Sequence, residues 1–400
     1  MLKNDFLEYQ AQTSKYPLGV EVKEAKGSYI YDAQGNAHLD FVAGVSACTL
    51  GHCHPRVVKA IEEQVRKYMH VMVYGEYIQA PAVDFCKKLV ENLPEPLQNV
   101  YMVNSGTEAT EGALKLARRY TGRSEIIAMN NAYHGNTMGS MSVMNHPQRK
   151  APFLPLVPDV RFIDFNKANH LESITINTAA VIVESIQGGA GFIEPEDDYL
   201  IKLHQRCKEV GALLIVDEIQ PGFGRTGKLF GFQNYGIVPD IMVIGKGMAS
   251  GLPCGAFVSS KEMMYTLSDN PPLGHITTFG GNPVVATAAL ATLNELLETD
   301  IIEQTLKKEK IFRQQLVHPL IQEVRGRGLM LAIITPEEAI TNQVILKCKD
   351  KGLILFWLLF EKKAIRITPP LTISEQEIEQ GCKIILEVMD EVLSENKKAE

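Results

Sequence analysis

The chain is 400 residues long, 45% hydrophobic and 22% charged, with 47 acidic residues against 40 basic ones and a formal net charge of −7. This is the balance of a globular chain with room for two or three domains, and it excludes disordered, collagenous and fibrous classes. An acidic surplus also opposes the basic stripe that a phosphate backbone requires, so no nucleic acid partner is expected.

The opening residues Met1 to Glu8 interrupt their few apolar side chains with charges, giving neither a secretory h-region nor an Arg-rich transit pattern. Seven cysteines without framework spacing fit reduced thiols, so the expected location is cytoplasmic. A hairpin is predicted from Ser28 to Leu39, with turn residues around Gly35 and Asn36. Next comes a dense cluster of Cys48, His52, Cys53 and His54. Zinc is one reading of it, but adjacent Cys53 and His54 do not share one tetrahedral ion at the usual ligand spacing, so a structural loop is expected and no metal.

From about residue 98 to 260, short β-branched runs alternate with longer amphipathic ones. Strands are predicted at Val100–Val103, Ile126–Met129, Val160–Ile163, Ala179–Val183, Leu213–Val216 and Ile241–Ile244. Such alternation indicates an α/β fold with a mainly parallel sheet covered by helices on both faces. Helices are expected from Asn282 to Leu297 and from Ser374 to about Leu393, before a frayed tail at Glu395 to Lys398. The apolar run Leu353 to Phe360, at eight residues, is far short of the ~20 that cross a bilayer, so no membrane partner is expected. It reads as a strand buried on both faces. Residues 46–291 are expected to form a large domain, with residues 1–45 and 292–400 packing together as a smaller α+β domain.

Three features gather at carboxyl ends of predicted strands, where open α/β sheets bind ligands. Ser105-Gly106-Thr107 joins a strand to the helix Thr110 to Tyr120, offering free amides, hydroxyls and a positive dipole end to a phosphate; an ordinary Ser/Thr cap is the alternative. Asp217 ends an apolar run and needs a cationic or hydrogen-bonding partner, for which nearby Arg225 is one candidate. Lys246, between Gly245 and Gly247, has the setting of a desolvated amine able to form a Schiff base; a lysine that snorkels to solvent is the alternative. A phosphate seat, a buried acid and an amine nucleophile together are what pyridoxal phosphate needs. The segment Gly222 to Lys228 has the spacing of a nucleotide-binding phosphate loop. Leu229 stands where Ser or Thr must meet Mg²⁺, and no clean helix follows, so nucleotide hydrolysis is disfavoured.

On these residues the chain resembles the class III aminotransferases of the ornithine, acetylornithine and 4-aminobutyrate type, within the fold-type I pyridoxal-phosphate enzymes. The likeness is carried by Val216-Asp217-Glu218-Ile219-Gln220, Gly222-Phe223-Gly224-Arg225-Thr226-Gly227, Gly245-Lys246-Gly247, Thr277-Thr278-Phe279-Gly280-Gly281-Asn282-Pro283 and Gly51-His52-Cys53-His54-Pro55. The resemblance implies a transaminase that moves an amino group from an amino acid, acetylornithine-like, ornithine-like or ω-amino, to a 2-oxo acid such as 2-oxoglutarate. By matching position, Lys246 would hold the cofactor as a Schiff base and move the proton, and Asp217 would keep the ring nitrogen protonated. Gln220 would contact the ring hydroxyl, Tyr133 would stack on the ring, and His134 and Glu184 would belong to the same site. Ser105, Gly106 and Thr107 would bind the phosphate together with Thr278 of the partner in a homodimer. Arg366 would grip a substrate carboxylate through a bidentate fork, with Thr277 near the substrate.

Two positions depart from that pattern. Asn136 stands after Tyr133-His134-Gly135, where the ornithine and acetylornithine enzymes carry an arginine, and Gly189 stands after Gln187-Gly188, where many relatives carry a glutamate. Both bear on the substrate and neither on the cofactor. A same-scaffold aminomutase, racemase or decarboxylase is the nearest alternative activity, and a non-catalytic binding module the alternative of a different class.

Overall fold

The computed structural model describes residues 2–399. Its centre is a seven-stranded sheet in the spatial order Asn99–Val103, Gly255–Ser259, Ile241–Gly245, Leu213–Asp217, Thr178–Glu184, Glu125–Met129, Val160–Ile163. The last five run parallel to one another, and Gly255–Ser259 is antiparallel to both of its neighbours. The three central parallel strands are buried along their whole length, which is why they read as unbroken apolar runs rather than alternating ones.

The six strands predicted between residues 98 and 260 all form. Gly255-Ala256-Phe257-Val258-Ser259 was not foreseen, because two small residues open it. Gly255 is required there by close approach: a Cβ would sit 2.2 Å from the Ser105 carbonyl oxygen, in the turn that starts the Gly106–Thr121 helix. The antiparallel strand thus presses its first residue against the turn read above as a phosphate seat.

Two four-stranded sheets are built from the two chain ends. Val22–Lys26, Tyr29–Asp32 and Ala37–Asp40 form an antiparallel meander, and Leu353–Ile354 adds to it in parallel beside Ala37–Asp40. The other sheet orders Glu323–Arg327, Met330–Ile334, Ala364–Ile367 and Phe356–Trp357. The helix Glu375–Ala399, which runs on through the stretch expected to fray, packs on Ile301–Gln315 and Glu338–Asp350. Pro283–Glu298 packs on Pro55–Val65, Ala80–Val90 and the turn at Lys246–Ala249.

The run Leu353 to Phe360 is not one strand buried on both faces. Leu353–Ile354 and Phe356–Trp357 belong to different sheets, and only Leu353, Ile354, Leu355 and Leu358 are buried. Phe356 and Leu359 are exposed at 38% and 37%, because the run crosses between two sheets and turns part of its apolar surface toward a cavity. Among the described residues, no helix is long and apolar enough to cross a membrane.

Candidate functional site

At the carboxyl ends of the central strands lies a cavity of about 490 Å³, lined among others by Gly106, Thr107, Tyr133, His134, Glu184, Asp217, Gln220, Lys246 and Arg366. The alternation of strand and helix dictates this place, since each strand delivers the chain to the same edge before turning back.

Asp217 is the last residue of its strand and 3% exposed. Its Oδ1 accepts the Ile219 amide at 2.9 Å, and its Oδ2 lies 2.7 Å from His134 Nδ1. The partner of Asp217 is therefore His134 and not Arg225, whose buried guanidinium donates to the carbonyls of Leu329 and Pro369. Burial alone lowers the His134 pKa, but the hydrogen bond and charge of Asp217, with Glu184 behind, outweigh it and move the ring upward. Among the described residues His134 Nε2 is buried without a partner.

Glu184 ends the neighbouring strand. Its carboxylate accepts the amides of Gly188 at 2.9 Å and Tyr133 at 3.3 Å, so it fixes two loops of the cavity wall. Burial pushes its pKa up to about 7, with His134 and the two amides pulling the other way. Gln220 donates to Ser46 Oγ at 3.2 Å. Ser46 closes a run of four left-handed residues, Ala43 to Ser46, with φ between 50° and 67°. For β-branched Val45 that conformation is a strained outlier, and Val45 lines the cavity.

Lys246 follows directly on its strand with φ +42°, a left-handed backbone that turns its side chain into the cavity. Burial, reinforced by the positive charge of Arg366, lowers its amine to about 8. Arg366 sits on the Ala364–Ile367 strand, 4% exposed, over the Phe192 ring at 5.4 Å. Among the described residues its Nε and Nη1 are buried without partners, and burial lowers its pKa to about 10. A buried fork with free donors is a seat for an external anion.

The Ser105-Gly106-Thr107 turn divides its labour. Ser105 Oγ accepts the Glu108 amide at 3.3 Å, the ordinary cap, and Ser105 does not line the cavity. Gly106 and Thr107 do line it, and Thr107 Oγ1 joins a hydroxyl cluster with Ser140 Oγ at 2.7 Å and Thr137 Oγ1 at 3.0 Å. Gly106 leaves no Cβ in the cradle, where one would strike Ile219 at 2.7 Å. First-turn amides, hydroxyls and the helix dipole thus converge on one spot.

Tyr133 is half-buried, and its hydroxyl accepts Asn136 Nδ2 at 3.0 Å, so Asn136 is engaged in the wall. Thr277 and Thr278 are not part of this chain's cavity: Thr277 Oγ1 accepts the Gly280 amide at 2.8 Å, and Thr278 is exposed. The cysteine and histidine cluster is structural in its contacts, with His52 Nε2 2.9 Å from Asp40 Oδ2. Among the described residues no group of three or more His, Cys, Asp or Glu is placed to hold a metal.

Sequence reasoning missed Val45, Ile219, Pro221, Phe356, Trp357 and Leu359 in the cavity wall. Only the last three carried a signal, an apolar run too long for a single short strand.

The family model for the aminotransferase class-III proteins matches residues 9–389. The acetylornithine aminotransferase of Methanopyrus kandleri is 37% identical, over 92% of this chain and 93% of its own. The [LysW]-aminoadipate semialdehyde/glutamate semialdehyde transaminase of Sulfurisphaera tokodaii is 35% identical, over 95% of this chain and 97% of its own. Among solved structures, the ornithine aminotransferase of Toxoplasma gondii, crystallised with partial occupancy of pyridoxal phosphate at its active site, superposes with a TM-score of 0.92 at 31% identity, covering 99% of this chain and 96% of that one.

Proposed function

The chain belongs to the class-III aminotransferase family and is a transaminase, and from that premise we propose that its cavity holds pyridoxal 5′-phosphate on Lys246, serves an amino acid and a 2-oxo acid, and works within a cytoplasmic homodimer. The observation that carries the reading is the meeting in one cavity of a desolvated lysine, a buried His134–Asp217 pair and a Gly106–Thr107 helix start. Their chemistry fits the group: an amine for its aldehyde, an acid for its ring nitrogen, and amides and hydroxyls for its phosphate.

When bound, the cofactor supplies an electron sink for the bonds at the substrate's amine-bearing carbon. The chain's own residues do the rest. Asp217 holds its negative charge at the cavity floor, kept in place by the Ile219 amide and His134. Tyr133 and Ile219 both line the cavity, where their apolar surface helps to exclude water. Lys246, neutral above about pH 8, accepts and returns the proton at the reacting carbon. Arg366, with two buried donors free, orients a substrate carboxylate. Glu184 and Gln220 hold the loops at Gly188 and Ser46 that shape the walls.

The exposed segment around Ile276, Thr278 and Phe279, outside the lining of the chain's own cavity, supports a dimer in which Thr278 completes the partner's phosphate seat. One sheet that joins residues 22–40 to Leu353–Ile354 supports a small domain of both chain ends beside a large one of about residues 46–291. Light scattering that finds an active monomer would refute the dimer. For the site, borohydride should fix pyridoxal phosphate covalently on the Lys246 peptide, read as a mass increment. Lys246→Ala should abolish both that increment and turnover, and normal kinetics in the variant would refute the role. The donor is decided by a panel of acetylornithine, ornithine, 4-aminobutyrate, lysine, glutamate and alanine, each tested for release of its oxo product. Release of CO₂, or no oxo product at all, would point to a sister reaction on the same scaffold.

A further inference from the structure

The cavity has one buried arginine in its lining, and beside its Leu359 wall stands a second arginine that neither the motifs nor the family resemblance singles out. Arg149 lies on the short Pro147–Lys150 helix and is exposed. Its guanidinium stands over the Phe360 ring at 5.7 Å, and its Nη2 lies 3.4 Å from the carbonyl of Leu359, a residue of the cavity wall. Its charge is felt by the Tyr133 phenol, which lines the same cavity.

Three observations give this position its meaning. First, the contacts of Arg149 are an aromatic face and one long hydrogen bond to a carbonyl, neither of which neutralises it, so the charge is available to an anion at the mouth. Second, the platform beneath it is fixed: Phe360 stacks on His146 at 4.9 Å with an interplanar angle of 25°, and lies so close to Gly189 that a Cβ there would be 2.8 Å from its ring. Third, the adjacent cation is committed elsewhere, since Lys150 Nζ donates to the Ser142 carbonyl at 3.2 Å and lies over Phe162 at 4.8 Å. Asn136, at the same rim, is neutral and bonded to Tyr133.

We propose that Arg149 is a specificity-determining residue for the second carboxylate of a dicarboxylic substrate, a 2-oxo dicarboxylate or the amino dicarboxylate it becomes. Arg366 holds one carboxylate at the buried end and Arg149 receives the other at the mouth, with the reacting carbon between them facing Lys246. The two acids of the floor do not compete for either guanidinium, because Asp217 is bonded to His134 and Glu184 to two amides. A monocarboxylic substrate uses Arg366 alone and leaves Arg149 in water. The inference rests on the aminotransferase reading above and names the substrate class of that same site.

The test compares glutarate with butyrate, unreactive acids with two carboxylates and one, by titration calorimetry on the holoenzyme, alongside KM for 2-oxoglutarate and pyruvate. In Arg149→Gln, glutarate binding should weaken about five-fold at low salt, the scale of an exposed charge pair, while butyrate stays unchanged. KM for 2-oxoglutarate should rise in step with kcat held, and the penalty should shrink as salt screens it. Arg149→Lys should recover part of the loss, since it keeps the charge and gives up the planar stack. Equal weakening of both acids, or of neither, overturns the proposal. Failure of the wild-type enzyme to carry the cofactor on Lys246 would instead sink the underlying reading, and the two failures are told apart by the borohydride mass increment.

Discussion

The floor of the cavity and its mouth are held by different physics. On the floor the two carboxylates have partners within the chain: Asp217 is bonded to His134 and to the Ile219 amide, and Glu184 to the amides of Gly188 and Tyr133. Away from the floor the polar groups are left over: Arg366, at the buried end, has two donors without partners among the described residues, and Arg149, at the mouth, rests on an aromatic ring. A floor whose carboxylates are held by the chain is rigid and suits a permanent guest, whereas the free donors of the two arginines suit a guest that comes and goes. Cofactor and substrate are separated in this molecule by how completely each region satisfies itself.

The largest effect that tests this contrast is expected at the floor. Asp217→Asn keeps the shape but removes the charge, and turnover should fall by roughly three orders of magnitude or more, the scale of losing preorganised charge at a reacting centre. Loss of less than about ten-fold would show that the floor does not act through that charge. The buried arginine comes next. Arg366→Ala should raise KM for carboxylate substrates by about ten- to a hundred-fold, as expected for a charge-assisted fork, and leave the Lys246 mass increment in place. An unchanged KM, or fast saturable reaction with acetylornithine in this variant, would overturn the anchor.

A pH series separates the regions without mutation. The Lys246 amine is lowered to about 8 by burial and by Arg366, so below that pH it is protonated and cannot attack an aldehyde. Capture of pyridoxal phosphate by the apoprotein should therefore quicken as pH rises through about 8 and then level off, several-fold across the range. In Arg366→Ala the midpoint should move up, because a cation that disfavours the charged amine is gone. A flat profile would mean the amine is not shielded as the geometry requires.

The floor was legible in the sequence because a strand end followed by a lone charged or small residue is a local pattern. Asp217, Lys246 and the Ser105-Gly106-Thr107 turn could each be placed from their neighbours alone. The partner of Asp217 could not, since His134 is far away in sequence and no spacing rule joins them. Arg225 was the nearer guess and proves to serve backbone carbonyls. The wall at Phe356, Trp357 and Leu359 was hidden for another reason: apolar residues look alike whether they face a core or a cavity, and only the break between two sheets at Leu355 decides. The left-handed run at Ala43 to Ser46 carries no residue signal beyond one glycine, so Val45 was invisible.

The smallest expected effect is at Gly189, where floor and mouth meet. A Cβ there would lie 2.8 Å from Phe360 Cδ2 and Cε2, and 3.6 Å from Tyr133 Cβ, so the ring and not the backbone denies the position a side chain. The residue is not held in a left-handed conformation, so the cost of Gly189→Ala is steric overpacking, on the order of 1–3 kcal/mol if the ring cannot yield. Phe360 carries the platform for Arg149, and its amide donates to the Gly189 carbonyl at 3.0 Å, so displacing it should also blunt discrimination between glutarate and butyrate. Removing the ring should relieve the clash: Phe360→Ala with Gly189→Ala should be less destabilised than the sum of the two single variants, by a coupling measurable in a double-mutant cycle of denaturant melts. In the same open background Gly189→Glu puts a carboxylate into the wall of the cavity that Arg366 also lines, and affinity for butyrate should fall as the new carboxylate competes for the buried fork. Strict additivity of the two alanine variants would mean that Gly189 is small for some reason other than Phe360, and that the aromatic rim and the vacant arginine are independent features.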